Sequence, residues 1–251
     1  VADGERAKTL RANAPRHKLN AVTLRSPVAN PNKIMNAPVN YQAHIDEAAH
    51  DKELSAGATG RKTMYIGDWG IFLKANSALT GWGETVQVHF PNRRTDHELE
   101  LIVVISKTGK GISQANAMDY VAGYAMGLDM TVRGTEDRSL RKSADTYAVC
   151  GPWLVTKDEI ADPGNLELTI SVNGQLRQKS NTSKLVWSIP KLIESASEWY
   201  TLYPGDILMT GTPEGVGPVK PGDVMSAEIE KVAKWDMRVT AYEGSLPEPR
   251  R

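Results

Sequence analysis

Asp96-His97-Glu98-Leu99-Glu100 leads directly into Leu101-Ile102-Val103-Val104-Ile105, so two acids two residues apart open a block of strand-forming side chains. On a strand, positions i and i+2 share a face, which sets Glu98 beside Glu100 and turns Leu99, Leu101 and Val103 the other way, into a core. Carboxylates that close repel each other unless a proton or cation lies between them, and hard divalent cations favour oxygen ligands. The bland alternative is an edge strand with a solvated acidic face. A third acid, Asp129, stands in Gly123-Tyr124-Ala125-Met126-Gly127-Leu128-Asp129 ahead of Arg133. Three carboxylates, with the remaining positions left to water and substrate, make a hard-metal site.

Other residues could act on a molecule held there. In Asn40-Tyr41-Gln42-Ala43-His44-Ile45-Asp46-Glu47, His44 and Glu47 have helical i, i+3 spacing, so the carboxylate can orient the imidazole and raise its basicity. A helix-surface histidine with an acidic neighbour can equally be just solvated. Lys142, in Arg141-Lys142-Ser143-Ala144-Asp145-Thr146-Tyr147, could neutralise a substrate carboxylate or an enolate, or be an ordinary surface lysine. Thr210-Gly211-Thr212-Pro213-Glu214-Gly215-Val216-Gly217 is a Gly-rich turn whose hydroxyls and N–H groups suit an anion.

Elements must hold these groups in place, and 251 residues suffice for a sizeable core, as one large domain or one domain with a small appendage. Thirty basic and thirty acidic side chains balance, so no net field favours nucleic acid or a lipid surface, and a small ligand fits better. The single Cys150 excludes an internal disulfide framework and suits a reducing compartment, hence a cytoplasmic location. No apolar run is long enough to span a bilayer, and residues 1 to 20 lack the apolar block of a secretion signal.

Residues 1–32 are polar with no sustained period and read as an arm or the remnant of a small N-terminal module; from Lys33 the texture changes to short apolar runs, and residues 33–251 read as the main domain, the one expected to carry the site. Strands are expected at Ile71–Lys74, Thr85–Phe90, Leu99–Ile105, Leu166–Val172, Ile207–Thr210 and Val224–Ile229. Helices are expected at Gln42–Leu54, Ala115–Tyr120 and Ile189–Trp199. Val172-Asn173-Gly174-Gln175 has the composition of a type I′ hairpin, and Tyr203–Asp206 and Lys220–Asp223 are turns that each open a strand. The pattern is strand-dominated α+β, neither doubly wound nor a barrel of alternating strand and helix.

The order of these segments resembles one family. Asn40-Tyr41-x-x-His44-x-x-Glu47, Phe72-Leu73-Lys74, Glu98-Leu99-Glu100, Gly123-Tyr124 leading to Asp129, Lys142-Ser143-x-Asp145-Thr146 with Gly151-Pro152-Trp153, and Gly205-Asp206 leading to Thr210-Gly211-Thr212-Pro213-x-Gly215-Val216-Gly217 are similar to the fumarylacetoacetate hydrolase superfamily, bacterial type. The resemblance spans about Pro31 to Val239. It implies a mixed β-roll or β-sandwich with few helices, a homodimer, and Mg²⁺ (or Mn²⁺ or Ca²⁺) on Glu98, Glu100 and Asp129.

It also implies hydrolytic cleavage of a carbon–carbon bond in an acylpyruvate or β-diketo acid resembling fumarylpyruvate or fumarylacetoacetate, in aromatic-compound catabolism. His44, oriented by Glu47, would activate water and Lys142 would stabilise developing charge. Tyr41, Lys74, Arg133, Glu136, Thr146 and Thr212 would contact the keto-acid substrate. The His-Glu segment would act as a lid, with a polar tail from Asp51 to Gly60.

Two departures stand out. Glu136 replaces a neutral amide common in the family, and would repel a second substrate carboxylate or bond a hydroxyl; Met35-Asn36-Ala37-Pro38 replaces hydrophobic residues before the Asn-Tyr motif. The alternatives are a keto-acid decarboxylase or an isomerase of the 5-carboxymethyl-2-hydroxymuconate type. A non-catalytic small-molecule-binding scaffold is a third reading, against which the converging acids argue.

Overall fold

The structure is a computed structural model, and it describes residues 4–55 and 65–244. The strands, in chain order, are β1 Ile34–Asn36, β2 Phe72–Lys74, β3 Leu79–Gly81, β4 Thr85–Val88, β5 Thr95–His97, β6 Leu99–Ile105, β7 Val121–Asp129, β8 Thr131–Val132, β9 Ala148–Thr156, β10 Glu167–Val172, β11 Gln175–Asn181, β12 Ile207–Met209, β13 Gly217–Pro218, β14 Val224–Ile229 and β15 Ala233–Ala241. The α-helices are α1 Gly4–Asn13, α2 Gln42–His50, α3 Lys52–Ser55, α4 Ile66–Trp69, α5 Gln114–Ala117, α6 Arg138–Arg141 and α7 Ile189–Trp199.

Seven strands form one sheet in the order β2-β1-β12-β6-β7-β9-β3. The two edge strands are consecutive in the chain: five residue steps lead from Lys74, which ends β2, to Leu79, which begins β3. Such a connection reaches at most about 17 Å, whereas a flat sheet of this order would separate its edges by about 29 Å. The sheet therefore curls. Lys74 on the edge strand touches Asp129 on β7, four strands away, across the concave face.

That concave face is lined by Ile34, Ile102, Val104, Ala125, Ala148, Cys150, Ile207 and Met209, with the small Ala125, Ala148 and Cys150 on β7 and β9 where little room is left inside the curl. Gly127 belongs to it: a Cβ there would lie 2.5 Å from Ile102 Cδ1. The convex face presents Leu99, Leu101, Val103, Met126 and Leu128 to a second sheet, ordered β11-β10-β14-β15-β4, and to α7. β6 is thus buried along both faces, which overturns the solvated-edge alternative for the acid pair.

Asn173 and Gly174 have positive φ of 50° and 78°, making the expected hairpin between β10 and β11. α7 is capped by Ser188 and buries Ile189, Leu192, Ile193 and Ala196 as its spacing predicts. The expected helix Gln42–Leu54 is divided at Asp51, whose N–H caps α2 on the Glu47 carbonyl while its side chain accepts from Glu53 and Leu54 N–H at the start of α3. Residues 56–60 of the lid tail expected over Asp51–Gly60 lie outside the described residues. Ala115–Tyr120 becomes α5 followed by a 3₁₀ turn over Met118–Tyr120. The N-terminal segment, read as aperiodic, contains the short helix α1.

Candidate active site

The ladder between β6 and β7 sets the acids together. Asp129 N–H donates to the Glu98 carbonyl at 2.9 Å, so the two residues sit across from each other where the strands meet the rim of the curl. Glu100 lies one strand pitch deeper, opposite Gly127. One oxygen of each carboxylate falls within 4.8 Å of the others, and all three residues are buried. Gly211, at φ +100°, donates its N–H to Glu100 Oε2 at 2.6 Å. A Cβ on Gly211 would stand 2.6 Å from Asn40 Cβ, so the turn approaches Glu100 this closely only as glycine.

The donor set fits a hard divalent ion. Burial and the neighbouring Asp129 and Glu98 carboxylates hold Glu100 well above the usual carboxylate range, the signature of acids forced together without enough positive charge. Glu98 goes the other way: burial works to raise it, and Lys142 and Arg133 outweigh that. Lys142 Nζ donates to Glu98 Oε2 at 2.7 Å, Asp129 Oδ2 at 2.6 Å and Thr131 Oγ1 at 2.7 Å. Lys74 Nζ donates to Asp129 and to the Tyr147 carbonyl, and burial pulls its ammonium down. Lys142 and Lys74 are thus both buried, not surface, lysines. Arg133 bridges Asp96, at 2.7 Å, and Glu98 Oε1, at 2.8 Å.

α2 turns His44 inward over the acids. Its Nδ1 lies 3.0 Å from Glu47 Oε2, and Glu47 Oε1 accepts from Gly215 N–H at 3.0 Å, which fixes the carboxylate and through it the ring. With Nδ1–H donated to Glu47, Nε2 is the basic nitrogen. His44, Glu98, Glu100, Asp129, Lys142 and Thr212 line one pocket.

The remaining expected residues divide. Thr212 Oγ1 donates to the Leu99 carbonyl at 3.0 Å and accepts from Gln178 at 2.8 Å. Arg133 lines the pocket. Tyr41 is buried at the start of α2, and burial, then Glu100 and Glu214, push its phenol far above the usual range, so it stays protonated. Thr146, at φ +70°, accepts from Gln87 N–H, away from the pocket lining. Glu136 is exposed and forms a two-pronged pair with Arg93, at 2.9 and 2.8 Å, outside the lining as well. The repulsion of a second substrate carboxylate expected from Glu136 is therefore not built into this pocket: Arg93 takes its charge.

Residues that sequence reasoning passed over do much of the positioning. Gln178, fully buried on β11, accepts from Leu99 N–H and donates to Thr212 Oγ1 and the Pro213 carbonyl, joining the start of β6 to the Gly-rich turn. Arg94 bonds Asp96 at 2.7 Å, Glu53 at 2.9 Å and Asp51 at 3.1 Å, linking the α2–α3 segment through Asp96 and Arg133 to Glu98. An alternating run such as Thr95-Asp96-His97-Glu98 signals such a chain only faintly, because its partners lie far away in sequence.

The fumarylacetoacetate (FAA) hydrolase C-terminal family model matches residues 33–240. The chain is 52% identical over 234 residues to a maleylpyruvate hydrolase of Aquipseudomonas alcaligenes, covering 93% of this chain and 81% of that protein. It is 41% identical over 199 residues to a mitochondrial oxaloacetate tautomerase of Bos taurus, covering 76% of this chain and 87% of that one. Its fold is similar to the crystal structure of maleylpyruvate hydrolase from Sphingobium sp. SYK-6 in complex with manganese(II) ion and pyruvate, with TM-score 0.80 and 39% identity over 94% of this chain and 81% of that one.

Proposed function

The chain belongs to the fumarylacetoacetate hydrolase family, and we propose that it hydrolyses a carbon–carbon bond of an acylpyruvate of the maleylpyruvate type, with Glu98, Glu100 and Asp129 holding the divalent ion. The observation that carries this reading is the convergence of three buried carboxylates and an oriented His44–Glu47 pair on one pocket. Mg²⁺, Mn²⁺ and Ca²⁺ all suit the oxygen set, and Mn²⁺ is the ion found with a relative. When bound, such an ion polarises the keto-acid oxygens and stabilises negative charge on them.

The protein's own groups supply the rest. His44 Nε2 takes a proton from a water, which adds to the distal carbonyl of the substrate. The bond between that carbon and the adjoining carbon then breaks; its electron pair goes to the pyruvate half as an enolate, and the acyl half leaves as a carboxylic acid. Lys142, beside Glu98 and Asp129, stabilises the charge on the enolate oxygen, and the proton held by His44 completes the balance when the enolate carbon is reprotonated. Arg133, whose guanidinium lines the pocket, fixes the anionic end, while Thr212, its hydroxyl proton given to the Leu99 carbonyl, shapes the wall beside it. A tautomerase would need the cation site and Lys142 but no attacking water, and the Glu47-oriented imidazole favours hydrolysis. The single buried cysteine suits a cytoplasmic location, and the family resemblance supports a homodimer; no helix among the described residues is long and apolar enough to cross a membrane.

Pyruvate release from a panel of acylpyruvates, with Mn²⁺ or Mg²⁺ and with chelator, tests the proposal. Metal-dependent pyruvate formation is expected; no pyruvate from any member of the panel removes the reading.

A further inference from the structure

We propose that a second small-molecule site, separate from the acid cluster, takes a primary ammonium carried on an apolar body. It lies on the other face of the strand that delivers Asp129. Tyr124 precedes Asp129 on β7 by five residues, about 17 Å along the strand, and the odd step turns it to the convex side, into the cluster of Leu101 and Val103. Around Tyr124 the turn Lys157–Glu159, the loop 161–164, the turn Thr182–Lys184 and the start of α7 border a cavity of about 610 Å³. That volume falls within the roughly 300–1,000 Å³ of small-molecule sites. Buried Ile160 and Ile189 give it an apolar floor.

Tyr124 is only 1% exposed, and it lines the cavity. Its hydroxyl has no hydrogen-bond partner among the described residues, yet it is not one of the sealed, unpaired polar atoms, so it opens on the cavity. A buried phenol left without a partner costs free energy that a bound group would recover. Burial, then Asp162, push the phenol up to about 12, so it keeps its proton and offers an oxygen lone pair. Asp162 Oδ1 accepts from Gly164 N–H at 2.9 Å, and its second oxygen has no partner among the described residues.

Charge selects a cation. Asp119, Asp158 and Asp162 are exposed around the cavity, and Lys157, the basic residue beside them, gives its Nζ to the Met118 carbonyl at 3.3 Å. The N-terminus of α7 also opens here but offers an anion little, since Pro190 has no N–H and Ser188 Oγ accepts from Lys191 N–H. A hard metal ion is not what these acids suit. Among the described residues only Glu98, Glu100 and Asp129 bring three such ligand atoms within 4.8 Å of one another. A free Asp162 oxygen and the Tyr124 hydroxyl above an apolar floor suit the N–H donors of an ammonium whose carbon body fills the cavity.

The test is calorimetric titration of the Mn²⁺-loaded protein with phenethylamine against 2-phenylethanol, its neutral counterpart; Mn²⁺ on the three acids keeps the ammonium from them. The amine is expected to bind at least about tenfold more tightly than the alcohol. Asp162→Asn, which keeps the Gly164 contact, is expected to weaken the amine about ten- to a hundredfold, and Tyr124→Phe about three- to tenfold, with Mn²⁺ affinity unchanged in both. No saturable binding of the amine, equal affinity for amine and alcohol, or undiminished amine binding in either variant overturns the proposal. A wild type that sediments as a dimer and an Asp162→Arg that sediments as a monomer would put a second copy over the cavity and overturn it as well.

Discussion

Glu100 is the residue on which the cation site turns, because burial and two neighbouring carboxylates oppose its charge while only one backbone N–H, from Gly211, supports it directly. Glu100→Gln keeps the shape and the Gly211 contact but removes that charge. Its Mn²⁺ affinity, followed by calorimetry, should fall by more than the ~10–100-fold typical of losing an outer-shell partner; unchanged affinity would place the metal elsewhere. His44→Asn should separate from it, lowering kcat by about 10²–10⁴-fold while leaving Mn²⁺ affinity nearly intact, since its contribution is proton transfer. A parallel loss of metal would show His44 to be a ligand. At this scale the sequence was informative where chemistry is local: the i, i+2 acids and the i, i+3 His-Glu pair needed only a strand and a helix. Gln178 and Arg94 were not legible, because their partners on β6 and the α2–α3 segment are brought to them by tertiary structure.

The α2–α3 segment that carries His44 is tied down at its far end by charges. Burial works to raise the Asp51 carboxyl, yet the Leu54 and Glu53 N–H groups and Arg94 outweigh it and hold it below the ordinary 3.8. A carboxyl depressed in the folded state contributes stability that is complete above its unfolded value and is lost as pH falls through the folded one. The segment should therefore loosen on the acid side, below pH about 4. Pepsin cleavage near residues 50–55, followed against pH, should rise there, and Asp51→Asn should flatten the pH dependence; cleavage independent of pH in the wild type would contradict this. Among the elements, β6 was plain from its apolar run, whereas β7, which delivers Asp129, was not. Its glycines weaken any strand pattern: Gly127 is there because the concave face has no room beside Ile102, and Gly123 because a Cβ would run into the Val155 carbonyl of β9.

The whole molecule depends on the curl of one sheet, which positions Lys74 against Asp129 across four strands. Asp206, fully buried where β12 starts, helps set that curl: it accepts from Lys33 N–H at 3.0 Å, Lys33 Nζ at 2.6 Å and Tyr203 N–H at 2.8 Å, pinning β1 beside β12. Asp206→Ala removes the only carboxylate paired with Lys33 among the described residues, whose Nζ keeps the Thr201 carbonyl at 2.9 Å, and should cost about 3–5 kcal/mol in denaturant unfolding; a change under about 0.5 kcal/mol, the scale of an ordinary surface substitution, would show the pair to be dispensable. The curl itself was invisible in the sequence except through the family resemblance, since the short link from β2 to β3 acquires meaning only once both strands are known to be opposite edges of one sheet.

The reaction is tested most directly by following an acylpyruvate in ¹⁸O-labelled water with the Mn²⁺-loaded enzyme and identifying the products by mass. Addition of water to the distal carbonyl predicts pyruvate together with an acid whose carboxylate carries ¹⁸O from solvent. Release of CO₂, or conversion to an isomer of unchanged formula with no pyruvate, would contradict carbon–carbon bond hydrolysis at this site.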